Sequence, residues 1–357
     1  MNKLPANEKL NINAFENMLE LKYLTNSYKI YWFYSIFEEI KKGDSVLLFK
    51  NIILKMICKA WYPVIQYRLN LGQLDQLTNI ILFIKDKYNF DIEINDEKLF
   101  SELQKINDEK LDKMIFDLCK YVPYRLLSPF YDRDLRGIPD SDKNKYITAF
   151  SLNDNYALYK IKNDEIIINE IWFEYIYHNQ AIIEGWLNYK LIYYLQKRNP
   201  NVPAIPLKIY PPQKRDLSGA TKFWKKIITH KSITDIYSNT IITPDNLSID
   251  HFIPWSFVLH DELWNLIPTK KNINSSKSDN LPDLNLYLEK FCEMQFLAIS
   301  ISIENKFPKK ELESYVNIGL DLTKTNLNLI EFNQRLHETI KPLHQLAFNQ
   351  GFMIWRY

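Results

Sequence analysis

Glycine is scarce in this chain, with 7 residues in 357. That scarcity argues against Gly-rich phosphate loops and against a hairpin-dense β-fold. Cysteine is scarcer still: Cys58, Cys119 and Cys292 are far apart and odd in number. They support neither a disulfide framework nor a zinc knuckle. No stretch reaches the roughly 20 apolar residues of a membrane span, and the apolar run "IIINEIWFEYIYH" is interrupted by Glu170 and Glu174. The opening "MNKLPANEKLNIN" lacks the apolar run of a signal peptide. A cytoplasmic protein without membrane association is the expectation. An excess of charge of one sign is missing too. The formal net charge is only +2, so no global basicity advertises a nucleic-acid partner.

The remainder is ordinary for a globular chain, at 46% hydrophobic and 25% charged, and long enough to bury a large core. The first two hundred residues read mostly as helix. "NSYKIYWFYSIFEEIKKG" has a mixed aromatic face and a glycine stop at Gly43. Its consecutive aromatics Tyr31, Trp32, Phe33 and Tyr34 are expected in the core, because consecutive rings cannot all face one ligand. "SVLLFKNIILKMICKAWYPVI" reads as a buried helix ending near Pro63, and short strands are expected within "YITAFSLNDNYALYKIKNDEIIIN". In "PNVPAIPLKIYPP", Pro200, Pro203, Pro206, Pro211 and Pro212 mark a linker, since proline removes backbone donors and extends its predecessor. Charge is uneven just beyond. Lys208, Lys214, Arg215, Lys222, Lys225, Lys226 and Lys231 face only Asp216 between residues 207 and 231. A phosphate-attracting lead-in and a solvated helix face are both open readings.

Polar chemistry concentrates in "SIDHFIPWSFVLHDELWNLIPTKKNINSSKSDNLP", residues 248–282. "TDIYSNTIITPDNLSIDHFIPW" suggests a β-hairpin turning at Pro244, Asp245 and Asn246, with Asp250 and His251 at the end of its second strand. "LHDELWNLIP" reads as loop or a short helical turn, and His260 within it as a solvent-facing loop histidine. "PTKKNINSSKS" reads as two turns of helix capped by Thr269. Asn274 and Lys277 then share a face at i and i+3. Brought together, Asp250 and Asn274 offer hard oxygen donors suited to Mg²⁺ or Mn²⁺, with His251 beside them as a base. That combination suits metal-assisted hydrolysis of a phosphodiester.

The order "IDHFIPWSF…WNLIPTKKNINSSKSDNLP" resembles the ββα-metal finger of the HNH endonuclease family. It is especially similar to the HNH domain of the RNA-guided CRISPR nucleases, over about residues 234–282. The resemblance implies Asp250 and Asn274 as ligands of a single Mg²⁺ or Mn²⁺ ion and His251 as general base. It implies Asn265 as the middle signature residue that fastens the loop and holds the base, and Lys277 near phosphate or the local carboxylates. Lys270, Lys271, Lys225 and Lys226 are the expected DNA contacts. The cysteine pairs that brace many such fingers are missing, so Ile249, Phe252, Trp255, Phe257, Trp264 and Ile267 must hold this one together.

The expected fold class is α+β, predominantly α-helical, with a small ββα-metal finger inserted in the C-terminal half. The expected organisation is a helical regulatory or recognition domain at 1–199 and a proline-rich linker at 200–216. A nuclease domain at 217–285 and a C-terminal helical region at 286–357 follow. The function expected is DNA cleavage in bacterial anti-phage or restriction defence, gated by a protein partner such as an ATPase subunit. Cleavage of RNA, or a non-catalytic finger in a binding or assembly protein, are the alternatives.

Overall fold

Apolar side chains on every side of one helix organise the first part of the chain. The computed structural model describes residues 4–212, 215–321 and 328–357. It divides into two compact units, Met1–Pro200 with Ile205–Pro212, and Asn201–Ala204 with Gln213–Tyr357.

The first unit begins with α1 (Ile12–Met18) and α2 (Tyr28–Lys42). Tyr31, Trp32, Phe33 and Tyr34 are all buried, as an all-round apolar helix requires at the centre of a fold. Gly43 closes α2 at φ +98, a conformation that favours glycine. Strand β1 (Val46–Leu48) leads into α3 (Phe49–Trp61), which packs along α2 and ends just before Pro63. Helices α4 (Gln76–Tyr88), α5 (Asp96–Lys105) and α6 (Glu109–Cys119) are capped by the side chains of Asp75, Asn95 and Asp108. Then come α7 (Val122–Leu127) and α8 (Lys143–Asn153). Part of the region expected to form strands is therefore helix: Ile147 and Ser151, four apart, give α8 its buried face. The strands themselves are β2 (Tyr159–Lys162) and β3 (Glu165–Ile168), which join β1 in an antiparallel sheet ordered β1-β3-β2. Helices α9 (Glu170–His178), α10 (Gln180–Arg198) and α11 (Ile205–Lys208) complete the unit. The last of these is a helical turn inside the proline-rich segment, with Pro206 tolerated in its first turn.

The second unit opens with α12 (Ser218–His230), which buries Ala220, Phe223, Trp224 and Ile227 at helical spacing. Two short pairs of antiparallel strands follow. Strand β4 (Ile233–Thr234) pairs with β5 (Ile241–Ile242), and β6 (Leu247–His251) pairs with a later β7 (Leu266–Lys270). Between β6 and β7 lies the short helix α13 (Trp255–Val258), and β7 runs directly into α14 (Lys271–Lys277).

This pairing corrects the expected hairpin. The turn at Pro244 exists, closed by hydrogen bonds between Thr243 and Asn246. Its two flanking strands, however, pair elsewhere. The partner of β6 is "LIPTK", whose first three residues fall in the segment expected to be loop or a short helical turn. In a two-stranded sheet each strand has an open edge, so a proline missing its donor is tolerated. Thr269 accordingly lies in β7 and does not cap the helix; its hydroxyl donates to Asp235.

Strand β8 (Leu281–Pro282) precedes the long helix α15 (Leu284–Glu304), then α16 (Glu313–Val316) and α17 (Leu329–Asn349). Strand β9 (Ile354–Trp355) returns to pair with β8 in parallel. Residues after 285 do not build a core of their own. Phe291, Phe332 and Phe352 share one apolar cluster with Trp224, Phe252, Phe257 and Ile267. The architecture is α+β and predominantly helical, with a small ββα element in the C-terminal half.

Candidate active site

Strand β6 supplies two side-chain faces. Ser248 and Asp250, two residues apart, share one of them, and α14 packs against this strand. Asn274 and Lys277, three apart on α14, both reach β6. The Asn274 Nδ2 donates to Ser248 Oγ (2.9 Å) and to the Ile249 carbonyl (3.0 Å). The Lys277 ammonium donates to Asp250 Oδ1 (3.0 Å) and to the His251 carbonyl (2.7 Å). Asp250 Oδ2 accepts from the Tyr237 hydroxyl at 2.7 Å. Asp250 and Asn274 thus approach from the same side of the strand.

The hydrogen bonds also orient the Asn274 amide. Its NH₂ is committed to Ser248 and Ile249, and its Oδ1 accepts no hydrogen bond from the described residues. Asp250 is 3% exposed and Lys277 1%, so their ion pair is buried. Burial, reinforced by the Asp250 charge, pushes the Tyr237 phenol far above its ordinary pKa, which keeps it a donor.

Among the described residues no group of three or more His, Cys, Asp or Glu side chains could hold a metal ion. A cation here would instead take one carboxylate and one carboxamide oxygen, the hard donors expected for Mg²⁺ or Mn²⁺. Both Asp250 oxygens already accept a hydrogen bond, but each keeps a second lone pair. The donor set therefore fits a divalent ion, provided that Lys277 shares Asp250 with it.

His251 faces a different partner. Its Nε2 lies 2.7 Å from Asp261 Oδ1, and the imidazole is buried while Asp261 is exposed. No hydrogen bond among the described residues joins the ring to the side chains of Asp250 or Asn274. Neighbouring His260 is not the solvent-facing histidine expected. It is half-buried against the Trp264 ring at 5.1 Å, and burial lowers its pKa.

Asn265 is fully buried and works as a staple. Its Oδ1 accepts from the Ile253 amide (2.8 Å) and its Nδ2 donates to the Ile253 carbonyl (2.9 Å). The chain two residues beyond His251 is thereby fixed to the start of β7. Asp235, also fully buried, accepts from the amides of Tyr237 (2.7 Å), Ser238 (3.1 Å) and Lys270 (3.2 Å). Of the apolar residues expected to brace the finger, Ile249, Phe252, Phe257, Trp264 and Ile267 are buried. Trp255 is half-buried beneath the Arg215 guanidinium at 5.0 Å.

Sequence reasoning missed Tyr237, Ser248, Asp235 and Asp261. Each is a common residue in a polar stretch, recognisable only once its partner across the fold is known. The basic residues are more dispersed than their sequence run suggests. Lys208 is buried in the first unit, and Lys226 pairs with Glu311 at 2.7 Å and lies over the Phe307 ring. Lys225 and Lys271 are exposed and Lys270 half-buried, while Lys214 lies outside the described residues.

No curated protein and no solved structure matches the chain. A family model does, and its span contains every residue of the polar network from Asp235 to Lys277: over residues 232–283 the chain is similar to the HNH endonucleases, a family of generally divalent-metal-dependent nucleases.

Proposed function

We propose that the protein is a metal-dependent endonuclease that hydrolyses DNA phosphodiester bonds with His251 as general base and a single Mg²⁺ or Mn²⁺ ion held by Asp250 and Asn274. One observation carries the reading. Within the HNH-like segment, α14 sets, on the face of β6 that presents Asp250, an amide whose Oδ1 accepts no hydrogen bond from the described residues. The similarity to the finger of the RNA-guided CRISPR nucleases belongs to the same proposal and rests on the order of Asp250, His251, Asn265, Asn274 and Lys277.

A bound cation would supply charge neutralisation at the phosphate and at the departing oxygen. The chain's own residues do the rest. Tyr237 and Lys277 hold Asp250 in place, and Ser248 and the Ile249 carbonyl engage the Asn274 NH₂. Asn265 fixes the chain just after His251. The imidazole takes one proton from a water whose oxygen bonds to phosphorus. The P–O3′ bond breaks, and the departing oxygen gains a proton from solvent. The products carry 5′-phosphate and 3′-hydroxyl ends.

The test is nicking of supercoiled plasmid by the full chain in Mg²⁺ or Mn²⁺, with EDTA as the control. His251→Ala is expected to lower the rate at least about 100-fold while Mn²⁺ binding persists; Asp250→Ala should lose both. Wild-type nicking by His251→Ala would remove the imidazole from the mechanism. Single-stranded RNA assayed beside the plasmid separates a DNase from an RNase, and inertness towards both would favour a binding role.

A further inference from the structure

We infer that Asp261 is a positioning residue for His251: it holds the neutral imidazole with its proton on Nε2, so that Nδ1 is the nitrogen left to take a proton. The inference rests on the reading of His251 as a base. An ionised carboxylate can only accept hydrogen bonds, so across the 2.7 Å contact Nε2 must donate to Asp261 Oδ1. A neutral imidazole carries one N–H, and with it on Nε2 the lone pair is on Nδ1. Nδ1 has no hydrogen-bond partner among the described residues, as a nitrogen awaiting a water or substrate proton should not.

The segment that presents the carboxylate is anchored on both sides. Before it, the Leu259 amide donates to the Trp255 carbonyl (2.7 Å) and Leu259 adopts φ +54. After it, Leu263 N donates to Ser314 Oγ (2.9 Å) and Asn265 N to the Glu262 carbonyl (2.9 Å). Trp264 is buried in the same turn. Asp261 itself is exposed and borders a cleft with Glu262, Glu311 and Glu313. It is an exposed carboxylate beside other acids, spent on a buried ring. A merely solubilising acid has no need of that contact, and a buried imidazole without it would be free to adopt either tautomer.

Two measurements on the full chain test this. In metal-free protein with ¹⁵N-labelled histidine, at a pH where the ring is neutral, the His251 signals are those missing from His251→Ala. They should show the Nε2–H tautomer in the wild type and a mixture of tautomers in Asp261→Ala. An Nδ1–H ring in the wild type, or an unchanged Nε2–H ring in Asp261→Ala, overturns the inference whether or not a cleavable substrate is in hand.

In the nicking assay Asp261→Ala should lower kcat about 10- to 100-fold with KM nearly unchanged. Asp261→Glu should recover part of the loss, and Asp261→Ala should add nothing to His251→Ala. Additive losses, or a loss confined to KM, would assign Asp261 a structural role. If His251→Ala nicks normally, the proposed role of His251 as base fails, and this inference with it. If it is inactive while Asp261→Ala is fully active, only this inference fails.

Discussion

Two asparagines, one in each unit, make the same bonds. In the helical unit Asn199 accepts from the Asn70 amide (2.8 Å) and donates to the Asn70 carbonyl (2.9 Å). In the finger Asn265 does the same to Ile253. Each side chain imitates a strand neighbour for one residue of irregular backbone. Two aspartates, equally buried at 3% exposure, differ. Asp75 spends its oxygens on the backbone amides of Ser27 (2.8 Å) and Leu77 (3.0 Å). Asp250 spends its oxygens on a phenol and an ammonium. A buried polar residue bonded to backbone is accounted for by the fold alone. One bonded to other ionisable side chains brings a desolvation cost that backbone satisfaction does not explain, and there a chemical role is the economical account. By that criterion the fold alone accounts for the bonds of Asn265, whereas those of Asp250 call for the chemical role proposed for it.

The largest expected effect tests the aspartates. Asp250→Ala strands a buried ammonium and should destabilise the second unit by about 3–5 kcal/mol. Asp75→Ala leaves two amides unsatisfied, at about 1–3 kcal/mol each, and should weaken only the first. Hydrogen exchange in graded urea, resolved by segment, reads both; loss of protection spread over both units by either variant would erase the distinction. The asparagines should instead match. Asn265→Ala and Asn199→Ala are each expected to cost about 2 kcal/mol in their own units, and a far larger activity loss than stability loss for Asn265→Ala would return it to the chemistry.

The smallest effect concerns pH. His344 on α17 donates from Nε2 to the Pro282 carbonyl at 2.9 Å, and burial lowers its pKa. Its contribution is present above the ordinary imidazole pKa of about 6.5 and is lost as pH falls through the lowered folded value. Burial raises the Asp75 pKa instead, so its contribution is complete below the ordinary carboxylate range and lost as pH rises through the raised value. Mild acidification should therefore weaken the second unit and spare the first. His344→Gln should reduce the shift in its melting point by about 2 °C or less, and an unchanged shift would exclude His344 as the source.

The signature residues were legible because their order is itself the signal: Asp250, His251, Asn265, Asn274 and Lys277 needed no partner to be noticed. Helices rich in apolar residues, such as α2 and α3, were legible for a similar reason. What sequence did not show depends on pairing across distance. Strand β7 looks like a loop until β6 is placed beside it, since Pro268 breaks the pattern and the alternation is short. Asp261 is one acid among many until the His251 ring meets it.

Strand β9 has a bearing on how such a molecule is made. The Trp355 ring packs on Tyr237 at 5.0 Å, and Tyr237 in turn bonds Asp250. Its indole N–H also donates to Ser276 at 3.3 Å on the helix that carries Asn274 and Lys277. A ribosome delivers the finger's sequence some seventy residues before it delivers this clamp. Until then the phenol that bonds the carboxylate has the Tyr287 ring beside it but not that of Trp355, and β8 lacks its partner strand. Excising residues 232–283 as a transplantable module would therefore leave Tyr237 without the Trp355 ring and β8 without its partner strand.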